Sequence, residues 1–277
     1  MLPPIVDGST QFIAILGDPI AQVRSPAMWS ALFRHNGVNA ICIPVHARAA
    51  ELGVAIAGLR AAQNCIGLIF TIPHKPAAAS HVDELTERAR NVDAINIARR
   101  QPDGRWLGDI VDGHGFVEAL RAKGLRLDGR RALVVGSGGV GSAIAFAIAD
   151  AKAREVAVSD IAGDKAQHLA QRIAAATGVK SFVAPPAAEG FNLVVNASPM
   201  GMRDGDPLPI DCAGLDPAAI AGDVVVHPEI TPFLAIARER GCAIQPGTHM
   251  MNHQVTVTAE FFGLPPGDWS PATAALG

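Results

Sequence analysis

Tyrosine is absent from this chain, and aromatic residues of every kind make up only 5% of it, so a site that needs a phenol hydroxyl cannot obtain one here. Cysteine is scarce and dispersed. Cys42, Cys65, Cys212 and Cys242 form no C-x-x-C pair, which excludes a disulfide framework and a structural zinc site and reads as reduced, mostly buried thiols. Charge is sparse too: 18% of residues are charged and the formal net charge is −3. Lysine and arginine are scattered rather than gathered into a stripe, which sets nucleic acid aside as a partner. No basic leader precedes the first apolar stretch, and Asp18 follows soon after it, so a cytoplasmic location is expected. One run, residues 132–149, lacks charge for long enough to suggest a membrane span. Its glycines argue for strand, tight turn and helix instead, and no membrane partner is expected.

What is present is a chain of 277 residues, 49% of them hydrophobic, long enough for two modest domains with cores of their own. The first part alternates short apolar runs (12–16, 40–45, 67–72 and 94–99) with helix-like stretches (26–36, 49–63 and 75–92), the rhythm of an open sheet with helices packed on it. A polar turn at 99–105 breaks the pattern. Near Asp112 the chain changes domain. A helix over 115–123 leads into buried, parallel-type strands at 132–135, 155–158, 181–184, 193–196 and 224–226, and a final helix at about 250–262 is placed to pack back on the first half. The fold class expected is α/β, with a doubly wound second domain.

Within that domain Gly136-Ser137-Gly138-Gly139-Val140-Gly141 matches the dinucleotide fingerprint, with a strand before it and an Ala-rich helix after it. One glycine permits the turn, one lets backbone approach a pyrophosphate, and one allows close helix packing, while the helix N-terminus supplies amide donors. Asp160 ends the next strand, about twenty residues on, where a carboxylate can accept from an adenosine ribose hydroxyl. A ribose phosphate would meet like charge there, so NAD is favoured over NADP, although Arg154 and Lys165 stand near enough in sequence to keep NADP in play. In the first domain Thr71-Ile-Pro-His-Lys75 closes an apolar strand with polar groups, at the strand end where open α/β folds bind ligands. Asp112 lies in a glycine-flanked turn. His249 and His253 sit one helical turn apart but lack the glutamate of the zinc-protease motif, and no metal is expected. His74 and His114 flank the candidate residues and are considered as proton relays.

Ser25-Pro26, Thr71 to Lys75, Val92 to Asn96, Asp112-Gly-His-Gly115, the glycine loop, Asn196-Ala-Ser-Pro-Met-Gly201 and the stretch from Gly247 to Gln254 occur in the order and spacing of one family: the chain resembles shikimate and quinate dehydrogenases from about Phe12 to Gly263. The resemblance implies a substrate domain from residues 1–111 and 248–277 around a nicotinamide-binding Rossmann domain, 112–247. It implies reversible hydride transfer between cofactor and a ring hydroxyl of a small cyclic hydroxy acid. Lys75 matches the catalytic lysine, as acid/base or positioning group, and Asp112 its partner. Ser25, Thr71, Asn96 and Gln254 match substrate contacts. Beside the glycine loop and Asp160, the positions of Ile161, Ala197, Ser198, Met200, Val226, Gly247 and Met250 match the cofactor side. The chain is expected to act as a monomer or homodimer.

The pattern is broken in places. The family usually has two serines, one residue apart, on the substrate carboxylate; here the first is Val23, which cannot donate. Val226 stands where a tyrosine is common and Ile69 where an asparagine is frequent. Ser159-Asp160-Ile161 replaces the Asn-Arg-Thr typical of NADP-using relatives, in agreement with the charge argument for NAD. These departures point to a paralogue acting on shikimate, quinate or a modified analogue. Two alternatives are a ligand-sensing protein on the same fold, against which the retained Lys75 and Asp112 count, and a methylene-tetrahydrofolate dehydrogenase-like enzyme, against which the Asp112 and Gln254 matches count.

Overall fold

The structure, a computed structural model, describes residues 6–270; the outermost residues of the expected substrate domain, 1–5 and 271–277, lie outside the described residues. The chain divides into two units, residues 1–111 with 255–277, and residues 112–254.

The first unit runs β1 (Gln11–Gly17), α1 (Ser25–His35), β2 (Ala40–His46), α2 (Leu52–Ala61), β3 (Cys65–Phe70), α3 (Lys75–Ala78), β4 (Glu84–Leu85), α4 (Glu87–Val92), β5 (Ile97–Arg100) and β6 (Trp106–Asp109). Its sheet has the order β2-β1-β3-β5-β6-β4. The pairs of β1 with β2 and β3 are parallel, and β5 runs antiparallel to both β3 and β6. The polar turn at 99–105 is the tip of the β5–β6 hairpin. This reversal matters for the site, because it returns the start of β5 and the end of β6 to the edge where β1, β2 and β3 finish.

The helix expected over 75–92 is broken in two. After one turn of α3 the chain extends, Asp83 N donates to Trp106 O at 2.9 Å, and β4 pairs with β6. Thr86 then caps a new helix by accepting from Ala89 N at 3.2 Å. Sheet pairing with a distant strand overrides local helical preference.

The second unit contains α5 (Asp112–Ala122), β7 (Arg131–Val135), α6 (Gly139–Asp150), β8 (Glu155–Ser159), α7 (Gly163–Thr177), β9 (Lys180–Val183), β10 (Leu193–Asn196), β11 (Ile220–Asp223), α8 (Pro232–Glu239) and β12 (Ala243–Gln245). The sheet order β9-β8-β7-β10-β11-β12, parallel throughout, is that of the doubly wound dinucleotide-binding fold, with its switch point between β7 and β10. Two expectations are corrected. The fifth strand is Ile220–Asp223, not 224–226: pairing with β10 ends at the Asn196–Asp223 register pair, and the Asp223 carboxylate turns back to accept from Val225 N at 2.9 Å. A sixth strand, β12, goes beyond the expected set, because three residues carry too short a pattern to register.

The last helix, α9 (Gly247–Phe261), runs across the division between the units. Its later residues Val255 and Ala259, with Phe262 and Trp269 beyond them, join Ile13, Trp29 and Phe33 in the first unit's core, so the chain end does pack on the first half. Trp29 stacks obliquely on Phe33 at 5.8 Å and meets the edge of Phe262 at 6.1 Å. Among the described residues no helix is long and apolar enough to cross a membrane.

Candidate active site

In the first unit the candidate residues gather at one sheet edge for a topological reason. Thr71 follows β3; its amide donates to Leu16 O at 3.0 Å, tying it to the end of β1. A side chain at Gly17 would come within 2.5 Å of the Thr71 methyl, so the glycine lets the threonine lie across the strand end. His74 is buried and its Nε2 bonds to Ala47 O at 2.7 Å; it bolts the 71–75 turn to the chain after β2, a structural task rather than a relay. Lys75 begins α3, half-buried, and its carbonyl accepts from Ile95 N at 2.9 Å.

Asn96 precedes β5, which runs antiparallel to β3, and so returns to the same edge. Its carbonyl accepts from Phe70 N at 2.7 Å, and its side-chain Oδ1 from Val111 N at 3.0 Å. With the oxygen committed, the amide NH₂ is the group Asn96 offers a ligand. Asp109, at the end of β6, backs this arrangement. Its carbonyl accepts from Asn96 N, and its buried carboxylate accepts from Thr86 Oγ1 at 2.6 Å and from Ile110 N at 2.7 Å and pairs with Arg88. Ser25 opens α1, half-buried. Val23 packs with Ile20 and Ile69 against the aromatic core, whereas Arg24 is exposed.

In the second unit Asp112 opens α5 and is only 3% exposed. Its Oδ1 accepts from Gln254 Nε2 at 3.2 Å. Glycines make that approach possible: a Cβ on Gly115 would lie 2.5 Å from Gln254 Cγ and 2.7 Å from Met250 O, and one on Gly113 2.0 Å from Ala143 O. Met250 is buried as part of this packing. His253 Nδ1 bonds to His249 O at 2.8 Å, and burial, with Lys123 nearby, pushes the His249 imidazole below its ordinary pKa. Among the described residues no cluster of metal-ligating side chains occurs.

The glycine loop leaves β7 with Gly136 at φ 105, the left-handed region open to glycine. A Cβ on Gly141 would lie 1.9 Å from Gly136 O, whereas one on Gly138 would meet nothing. Turn and helix packing thus call for glycine at Gly136 and Gly141, while the space beside Gly138 is open. Gly139 and Val140 start α6, whose N-cap Gly138 supplies no side-chain hydrogen bond to the first amides. Asp160 follows β8. Its Oδ2 accepts from Ser137 N at 2.7 Å and Ser137 Oγ at 2.6 Å, and its Oδ1 from Ala162 N at 2.9 Å. Burial acts to raise this carboxyl but is outweighed by the Ser137 and Ala162 bonds and the Lys165 charge, so it titrates below the usual range. Ile161 beside it is fully exposed. Arg154 precedes β8 and Asp160 follows it, so the two stand at opposite ends of a strand that spans roughly 16 Å; that arginine is no partner for a phosphate at Asp160.

Ala197 and Ser198 lie directly against the glycine loop, since a Cβ on Gly136 would be 2.7 Å from Ala197 O. Met200 O accepts from Asn196 Nδ2 at 3.0 Å. Val226 follows β11 in a loop that comes so close to Gly247 that a Cβ there would sit 2.5 Å from Val225 O. Behind these loops Asn196, the first residue of its motif, is joined to the buried Asp223 and Thr231, a connection that reading the sequence did not single out. Asp223 gave no signal because it is one acidic residue in an apolar run.

A shikimate dehydrogenase (NADP(+)) from Rubrobacter xylanophilus is 36% identical over 92% of this chain and 91% of its own length. The chain belongs to the shikimate dehydrogenase family. Residues 15–98 match the family model for the shikimate dehydrogenase substrate binding domain. Among solved structures, shikimate 5-dehydrogenase from Thermus thermophilus, in complex with NADP(H) and shikimate, superposes with a TM-score of 0.84 at 30% identity, over 96% of this chain and 97% of that one. Quinate dehydrogenase from Corynebacterium glutamicum in complex with NAD has a TM-score of 0.84 at 28% identity, over 96% and 99%. Family membership agrees with the two-unit α/β architecture and with the motifs that carried the resemblance.

Proposed function

We propose that the protein is a nicotinamide-dependent dehydrogenase that interconverts a ring hydroxyl and a ketone of shikimate, quinate or a close analogue, with NAD as its preferred cofactor. The second unit fits such a dinucleotide: Gly138 leaves room for a pyrophosphate beside the first amides of α6, and Asp160 is a charged acceptor at the end of the neighbouring strand. When bound, the nicotinamide supplies a hydride acceptor in one direction and a donor in the other.

The protein's own residues do the rest. Thr71, Asn96 and Ser25 hold the hydroxy acid at the sheet edge of the first unit. In oxidation the carbon gives up hydride while the hydroxyl oxygen gives up its proton to Lys75 Nζ; in reduction the proton returns along the same path. A positioned proton acceptor contributes about 10²–10⁴ in rate. Asp112, its carboxylate oriented by Gln254, accepts a hydrogen bond from a neighbouring substrate hydroxyl.

The observation that carries the cofactor preference is the Asp160–Ser137 pair, which holds a carboxylate in one orientation beside the glycine loop. Curated relatives named for NADP set the contrast against which the preference is tested. On the substrate side Val23 cannot donate and packs, as do Ile20 and Ile69, against the apolar core, which favours a substrate whose carboxylate is held by fewer donors.

The deciding experiment is the formation of reduced nicotinamide by purified protein with NAD or NADP, each against shikimate, quinate, aminoshikimate and unrelated polyols. Faster turnover of one cyclic hydroxy acid with NAD supports the proposal. Faster turnover with NADP overturns the cofactor preference, and turnover of the unrelated polyols alone overturns the substrate class.

A further inference from the structure

The register of the second sheet sets Val135, Asn196 and Asp223 side by side on neighbouring strands at its carboxyl edge. Asp223 is 1% exposed, Asn196 0% and Thr231 1%, yet their polar atoms are engaged in a connected network. Asp223 Oδ1 accepts from Asn196 Nδ2 at 3.1 Å and from Val225 N at 2.9 Å, and Oδ2 accepts from Thr231 Oγ1 at 2.7 Å. The Asn196 amide spends its remaining capacity on the loop that follows β10: Nδ2 donates to Met200 O at 3.0 Å, and Oδ1 accepts from Ser198 N at 3.0 Å and Ser198 Oγ at 2.6 Å. Thr231 in turn caps α8 by accepting from Leu234 N at 3.3 Å. One carboxylate therefore fixes the loop after β10, the loop after β11 and the start of a helix.

Both loops bear on the glycine loop side of the unit. Ala197 and Ser198 touch it, for a Cβ on Gly136 would lie 2.7 Å from Ala197 O and 3.0 Å from Ser198 N, and one on Gly141 3.2 Å from Ala197 Cβ. Folding does not by itself call for a buried carboxylate here, because burying a charge is costly and apolar replacements of whole polar clusters are often neutral or stabilising. What the carboxylate adds is a single orientation for the Asn196 amide, and through it for residues 197–201. We infer that Asp223 is a positioning residue of the dinucleotide site, acting through Asn196 and Thr231 to hold the Ala197–Ser198 backbone against the glycine loop. The inference rests on the dinucleotide reading above.

The test uses the full chain. Binding of NADH and NADPH is titrated by nicotinamide fluorescence, and kcat and KM are measured for both dinucleotide and hydroxy acid. Asp223→Ala is expected to raise the dissociation constant and the KM for the dinucleotide about tenfold or more, with little change in the KM for the hydroxy acid. Asp223→Asn keeps an acceptor oxygen for Asn196 and Val225 and should restore most of the affinity. If Asp223→Ala does not fold, Thr231→Val, which removes one of the three donors, should weaken dinucleotide binding by a smaller factor while leaving the hydroxy-acid KM unchanged. Variants that melt earlier but bind dinucleotide as tightly as the wild type would overturn the inference and leave the functional reading standing. A wild-type protein that binds neither dinucleotide would overturn both.

Discussion

Asp160 Oδ2 accepts from the backbone N of Ser137 at 2.7 Å and from its hydroxyl at 2.6 Å. In the proposed reading this carboxylate, which closes the turn after β7, is also the negative group beside the adenosine ribose. Because two donors from one residue hold the same oxygen, swinging it aside to admit a phosphate would break both bonds.

This gives the first expected outcome. A ribose phosphate facing this carboxylate costs on the order of 1–4 kcal/mol in a partly solvated site, so Asp160→Asn should shift the ratio of kcat/KM for NAD over NADP toward NADP by about fivefold or more. The amide oxygen can still accept from Ser137, and the loop should stay closed. A ratio that does not move would remove Asp160 from cofactor selection.

Lys75 is half-buried at the start of a one-turn helix. Lys75→Ala should lower kcat by about a hundredfold or more, with the thermal midpoint close to that of the wild type. An unchanged kcat would show that the proton leaves the hydroxyl by another route.

Val23, like Ile20 and Ile69, is a partly buried apolar residue packed against the first unit's core, and in the proposed reading it stands where relatives place a donor to the substrate carboxylate. A hydrogen bond to a charged group is worth about 1.5–3 kcal/mol, so Val23→Ser should lower the KM for shikimate by roughly ten- to a hundredfold. An analogue without the carboxylate should gain nothing. Equal gains for both would mean that the serine acts on the fold and not on the carboxylate.

Burial pushes the Asp223 carboxyl up to about 6 from its ordinary 3.8, despite bonds from Val225, Thr231 and Asn196 that favour the charged form. The unfolded chain gives up this proton at the lower pH, so between about pH 4 and 6 the native state binds more protons than the unfolded one. Asp223 thus contributes stability that is present below about pH 4 and lost as pH rises through about 6, amounting to about 3 kcal/mol. Urea midpoints of the wild type and Asp223→Asn should diverge across that window, the variant lacking this fall. Parallel curves would contradict the assignment.

Much of the architecture could be read directly. Apolar runs with period-2 or 3.6 character marked β1, α1, β2 and the strands from β7 to β10, because there local preference and burial agree. The glycine fingerprint was legible for the same reason: its glycines answer local steric demands, which the structure displays at Gly136 and Gly141. The misreadings fall where a distant partner decides. The helix expected over 75–92 gives way to pairing of β4 with β6, and the apolar Val224 to Val226 run lies past a strand that ends where its neighbour does.

The candidate residues divide in the same way. Lys75 and Asp112 stood out through the family resemblance, and the glycine loop and Asp160 through residue type and spacing. Which bonds they make was not visible. Only the tertiary structure showed that Asn96 spends its oxygen on Val111, that His74 serves the backbone at Ala47, that Arg154 stands at the wrong end of its strand, and that Asp223 gathers two loops and a helix. The amino-acid sequence alone determined the class of fold and the inventory of reactive groups, since both follow from periodicity and residue type. The orientation of each group was decided by contacts between residues far apart in the chain, whose geometry no local pattern encodes.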